Sequence, residues 1–304
     1  MLRAVRKMLQ VARVLTGRQD AGRNLTVFPD DLFMVSYPRS GNNWTRFLLG
    51  NLIHPEEPVD FSNLEARVPE IYFNPDRRLR AMPRPRALKS HEAFEPHYPH
   101  ILYVVRDPRD VAVSNYYHNQ RAGNIPAECK IEDFVPMFLA AKFDKRCGTW
   151  ADHVTSWLAT RENGHGFLLL KYEDLKEDPV AALSRIAEFL TACGFSGIDR
   201  SERNFQRVVD LSSADRMRAL EKSQGQAWVR GHASRENRPY LAGRKAIAGG
   251  WRSAMPQQCA EQIETQYGNV MKRLGYSVGQ RTSVPSELLS PAECITEPIG
   301  RPSK

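Results

Sequence analysis

Apolar residues gather in short, near-continuous runs at residues 32–35, 101–105 and 167–170, each bounded by polar or turn-forming residues. Runs of that length without alternation suit strands buried on both faces, as in a parallel sheet. Residues 86–89 predict a further short strand. Elsewhere apolar positions return every three or four residues. They predict helices from about Asn43 and Asp110, over 131–143 and 149–162, and over 256–274. Asp178 and Pro179 mark another helix start, carboxylate as cap and proline at the first helical position, carrying 180–190 onward. Strands alternating with helices imply right-handed crossovers and an α/β fold, with a central parallel sheet flanked by helices. Residues 55–85, rich in Pro, Asn and Arg, predict loops and short helices able to cover a substrate.

The junction after the first strand is the most informative stretch. It reads Tyr37-Pro38-Arg39-Ser40-Gly41-Asn42-Asn43-Trp44, a tight polar turn followed by a helix start. The first N–H groups of a helix lack partners and carry its positive dipole end, so they bind anions. Arg39 and Ser40 add side-chain donors. This makes the fold P-loop-like, although the Walker pattern of two glycines and a Lys-Ser/Thr pair is absent. An ordinary strand-to-helix turn is the plainer alternative for this segment alone.

Composition narrows the partners. A net charge of +8 favours an anionic ligand, either a nucleic acid or a small polyanion. No nucleic-acid motif or aromatic stacking platform appears, so no nucleic-acid partner is expected. Five scattered cysteines without CxxC spacing argue for a reducing compartment and against a structural zinc, and no metal is expected. No apolar run approaches a membrane span, and a cytoplasmic location is expected. Residues 1–24 are expected to form a basic helical extension, with Leu2, Val5, Leu9 and Ala12 at helical spacing. Peripheral membrane contact through it and a homodimer both stay open. A domain over 25–280 follows, then a Pro- and Ser-rich tail over 281–304.

Three further segments carry chemistry. Ile101–Ser114 delivers Arg106 to a strand end and Ser114 to the next helix, and a guanidinium fork suits phosphate. An ion pair with Asp107 or Asp110 is the competing role for Arg106. Lys89 and His91 alternate about Ser90 at a strand end, so both can face one pocket. His97, His100 and His118 are read without a functional role. Arg244-Lys245-Ala246-Ile247-Ala248-Gly249-Gly250-Trp251-Arg252 is a basic loop before a helix.

Together these motifs resemble the sulfotransferases that use 3′-phosphoadenosine-5′-phosphosulfate (PAPS). The first is similar to their YPKSGTTW loop, and the Arg106–Ser114 layout to R-[DN]-P-[RK]-D-x-x-x-S. Residues 89–91 resemble their Lys-Thr-His, and the last segment R-K-G-x-x-G-[DEGN]-W-[KR], with Ala246 in place of the first glycine. The resemblance implies that Arg39, Ser40, Gly41, Asn42 and Asn43 hold the 5′-phosphosulfate. It places Arg106, Ser114, Arg244, Lys245 and Ala246 at the 3′-phosphate, and Trp44 and Tyr172 at the adenine. Ser212 aligns weakly with a nucleotide-contacting Thr or Ser. His91 would be the general base, with Lys89 and Arg39 holding the sulfonate. Arg39 stands where lysine is usual, and a guanidinium assists electrostatically without donating its proton. The stretch from Gly148 to Trp157 resembles the family's G-x-W-x-x-H-V-x-x-W and is read as an aromatic core stripe. The implied acceptor is a small-molecule, glycan or lipid hydroxyl, or an amine. A P-loop kinase or other NTPase and a non-catalytic polyanion-binding protein are the rival readings.

Overall fold

The computed structural model describes residues 25–144, 146–162, 164–231 and 248–279. The N-terminal extension, the tail, and Arg244, Lys245 and Ala246 lie outside the described residues. The chain opens with β1 (Leu32–Ser36), α1 (Asn42–Ile53) and the short helices α2 (Leu64–Arg67) and α3 (Asp76–Arg80). β2 (Ala87–Ser90), β3 (His100–Val105), α4 (Pro108–Arg121), α5 (Ile131–Leu139) and α6 (Trp150–Arg161) follow. β4 (Phe167–Lys171) runs straight into α7 (Tyr172–Glu177) and α8 (Pro179–Ala192). The last helices are α9 (Glu202–Leu211), α10 (Ala214–Gly231), α11 (Trp251–Ala254) and α12 (Gln257–Arg273).

The four strands form one parallel sheet in the order β2-β1-β3-β4. Alternation along each strand divides its side chains between two cores. Phe33, Val35, Ile101, Tyr103 and Val105 face a core shared with α4, α5, α6 and α12. Leu32, Met34, Leu102, Val104 and Leu170 face the other, shared with α1, α8 and α9. Both faces are therefore covered, which is why the strands read as continuous apolar runs.

Two helix ends differ from expectation. α5 stops at Leu139 rather than near 143, with Pro136 inside its last turn and Ala141 at a φ of 51°. α4 begins at Pro108, two residues early, because the Asp107 carboxylate caps the Arg109 N–H. The parallel register brings the C-terminal ends of all four strands to one edge, where such folds bind their ligands. Ser36, His91, Arg106 and Tyr172 all stand at this edge or one residue beyond it.

Candidate active site

The turn after β1 is held in a shape few sequences tolerate. Gly41 has a φ of 97°, and a Cβ there would stand 2.4 Å from Tyr172 Cδ2. Arg39 has a φ of 70°, a conformation costing a non-glycine residue about 1–2 kcal/mol. Such strain gathers where a shape is required. α1 starts without a side-chain capping bond and without an acidic residue in its first turn. The Asn42 carboxamide oxygen accepts from Ser36 Oγ, orienting that side chain. Ser40 Oγ is buried with no hydrogen-bond partner among the described residues. An uncapped helix end, an unpartnered hydroxyl and a glycine that admits no Cβ fit a phosphate-bearing ligand.

The motif after β3 closes on this turn. Arg39 Nε donates to Ser114 Oγ at 3.3 Å, and an Arg106 terminal N–H donates to the Arg39 carbonyl at 3.4 Å. Two segments some seventy residues apart thus form one cationic cluster. The Arg106 guanidinium lies 4.4 Å from the centre of the Tyr172 ring, the same ring that packs on Gly41. Arg106 also pairs with Asp110 at 3.8 Å, so the competing structural role coexists with its place in the cluster. Asp110 reaches further, accepting from the Gly249 N–H at 2.7 Å and the Trp251 N–H at 2.8 Å. It ties the described end of the 244–252 segment to the β3 edge. Burial raises its carboxyl, opposed by Arg106 and these two amides.

At the end of β2, His91 Nδ1 lies 2.7 Å from the Ser36 carbonyl. A carbonyl only accepts, so Nδ1 carries the proton and Nε2 keeps its lone pair. Burial, and then the Lys89 charge, hold the imidazole well below its ordinary value, so it is neutral at physiological pH. Lys89 Nζ pairs with Glu70 at 2.8 Å. Burial outweighs that pairing and lowers the ammonium to about 8. Tyr72 joins the two: its ring lies parallel to His91 with centroids 6.2 Å apart, and Lys89 Nζ is 5.7 Å from its centre. Its hydroxyl accepts from the His91 N–H at 2.9 Å and donates to Glu92 at 3.1 Å. Neither Glu70 nor Tyr72 is legible in the sequence, since both come from the weakly periodic 55–85 stretch. A bridge between Glu70 and Lys89 brings them in.

Trp44 is half-buried, edge-on to Tyr172 at 5.6 Å, with Lys176 Nζ 4.8 Å from the centre of the indole. Ser212 follows the last residue of α9. It is fully buried, and its hydroxyl accepts from Asn51 at 3.2 Å, joining α9 to α1. His118 stands near enough to Arg39 for that charge to add to burial, and its imidazole is held down to about 4. Among the described residues no three His, Cys, Asp or Glu side chains converge as metal ligands would. No described helix is long and apolar enough to cross a membrane.

A family model for the sulfotransferase domain matches residues 29–275, spanning every element described above. The chain belongs to the sulfotransferase family. Membership makes it an enzyme of sulfuryl transfer with PAPS as donor. Rat sulfotransferase 1 family member D1 is 28% identical over 260 residues, covering 80% of this chain and 84% of that protein. A mouse sulfotransferase solved with 3′-phosphoadenosine-5′-phosphate (PAP) superposes with a TM-score of 0.60 at 25% identity, covering 87% of this chain and 90% of that one. A retinol dehydratase solved with androsterone and PAP shares the fold, with a TM-score of 0.63 at 23% identity over 85% and 84% of the two chains.

Proposed function

We propose that this sulfotransferase transfers the sulfuryl group of PAPS to a hydroxyl or amine of a small-molecule acceptor, with His91 as general base. The observation that carries the reading is the His91 Nδ1 contact with the Ser36 carbonyl at 2.7 Å, which leaves Nε2 unprotonated, with its lone pair free to accept a proton, on a residue at the ligand-binding edge of the sheet. PAPS, when bound, supplies the sulfuryl group and departs as PAP. His91 Nε2 takes the acceptor's proton as the acceptor's bond to sulfur forms and the bond from sulfur to the 5′-phosphate oxygen breaks. Arg39, Lys89 and the α1 N-terminus face the charge that moves onto that oxygen. Arg39 acts without proton transfer. Arg106 and Ser114 hold the 3′-phosphate, and Trp44 and Tyr172 flank the adenine. The small-molecule acceptor draws support from the retinol dehydratase complex, whose bound androsterone is such a molecule. The motifs are those of the cytosolic-type enzymes, and on that ground we place the chain in the cytoplasm.

Thermal unfolding with added nucleotides tests the donor site. A ligand at about 100 times its Kd adds ~2.7 kcal/mol to stability. PAP should raise the midpoint well above AMP and ATP at equal concentration. Equal shifts for PAP and AMP would remove the 3′-phosphate site. A larger shift for ATP with Mg²⁺ would favour a kinase, and a shift by any polyanion that vanishes with salt would favour non-catalytic binding.

A further inference from the structure

α6 does more than fill the core. Trp150, His153 and Trp157 are fully buried and share one stripe of the helix at spacings of three and four. Each side chain ends in an N–H, and all three donate to main-chain carbonyls at the catalytic edge. Trp150 Nε1 reaches the Arg106 carbonyl at 3.2 Å, His153 Nε2 the His91 carbonyl at 3.2 Å, and Trp157 Nε1 the Glu92 carbonyl at 3.1 Å. These carbonyls lie just past β3 and β2, where the chain has left the sheet ladder and needs other donors. Apolar residues would pack the stripe as well, but they could not hold those carbonyls.

We propose that His153 is a positioning residue for the reaction, fixing the main chain that carries His91 and so the direction of the His91 imidazole. The inference rests on the reading of His91 as base. The orientation of His153 is itself set. Its Nδ1 lies 2.8 Å from the Tyr103 hydroxyl, and the His91 carbonyl opposite can only accept. The imidazole therefore carries its proton on Nε2 and receives the Tyr103 hydroxyl proton at Nδ1. The relay runs from Tyr103 on β3 through His153 on α6 to His91 beyond β2. A second contact acts on His91 from the other side, where its ring donates to Ser36 on β1. With main chain and ring both held, Nε2 points one way.

Histidine tautomers read by NMR on isotope-labelled protein, with label transfer from PAPS into an extract of candidate acceptors as the activity readout, test the relay. In the wild type, His153 should be protonated at Nε2 and His91 at Nδ1. In His153→Leu, PAP affinity should stay within about twofold, while His91 loses its single tautomer and label transfer from PAPS falls about tenfold or more, on the scale of general-base effects. His153→Gln keeps a donor and an acceptor on one side chain and should restore both. Wild-type His153 protonated at Nδ1 would overturn the proposal without recourse to a variant, and so would a His153→Leu protein with an unchanged His91 signal. A His91→Ala enzyme that still turns over would remove the base assignment instead, which keeps the two failures apart.

Discussion

Replacing Gly41 with alanine separates the shape of the turn after β1 from its charges. Two costs follow from the structure. A Cβ at a φ of 97° carries left-handed strain of about 1–2 kcal/mol. It would also stand 2.4 Å from Tyr172 Cδ2, so the ring must move. That ring sits under the Arg106 guanidinium at 4.4 Å, a contact worth about 1 kcal/mol. The sum is about 2–3 kcal/mol. If the turn keeps its shape, the loss falls on folding. If it relaxes, the loss falls on PAP affinity, about 30- to 150-fold. Urea unfolding at a fixed excess of PAP captures both, because unfolding the complex sums the two terms. Gly194→Ala is the control: its φ is 91°, with nothing within 4 Å of the added carbon, so it should lose only the strain. A Gly41→Ala complex as stable as the wild type, or no less stable than the Gly194→Ala complex, would refute the packing of Tyr172 against this turn.

Three further outcomes follow from the buried charges. Glu70 supports the Lys89 ammonium against burial, which lowers it to about 8. kcat/KM should therefore decline as pH rises through about 8, and in Glu70→Gln the decline should begin at lower pH; an unchanged alkaline limb would sever Lys89 from turnover. His153 is held down to about 4, against about 6.5 when unfolded, so the unfolded chain binds more protons between those values. Stability should fall as pH drops through that window, by about 2–3 kcal/mol from His153 alone at pH near 4.5, and acid urea titrations of His153→Gln should show a shallower fall. Asp110→Asn keeps an acceptor for only one of the Gly249 and Trp251 amides and loses the Arg106 pair. It should weaken PAP binding about tenfold in calorimetry while leaving AMP binding nearly unchanged; equal losses for both would make its role merely structural.

How much was legible varied with the reach of each contact. Strands β1, β3 and β4 showed as apolar runs because both faces of the sheet are covered. Gly41 and Arg39 stood out because a tight turn restricts residue choice locally. The stripe of α6 was visible as spacing but was read as core. Burial and periodicity say nothing about where an indole or imidazole N–H ends, and the Arg106, His91 and Glu92 carbonyls lie 44 to 65 residues away. Asp110 was seen as a partner for Arg106, yet its two amide contacts come from more than a hundred residues further on. Helix α10 was not among the predicted helices. Glu70 and Tyr72 depend on a single bridge to β2 that no local pattern announces.

The central claim is that His91 takes the acceptor's proton in a sulfuryl transfer whose donor is held by separate residues. Its most direct test is transfer of labelled sulfate from PAPS into an extract of candidate acceptors, comparing the wild type with His91→Ala and measuring PAP affinity for both. The account predicts a labelled product with the wild type, none with His91→Ala, and PAP affinities within about twofold of each other. Wild-type rates of label transfer by His91→Ala would contradict it.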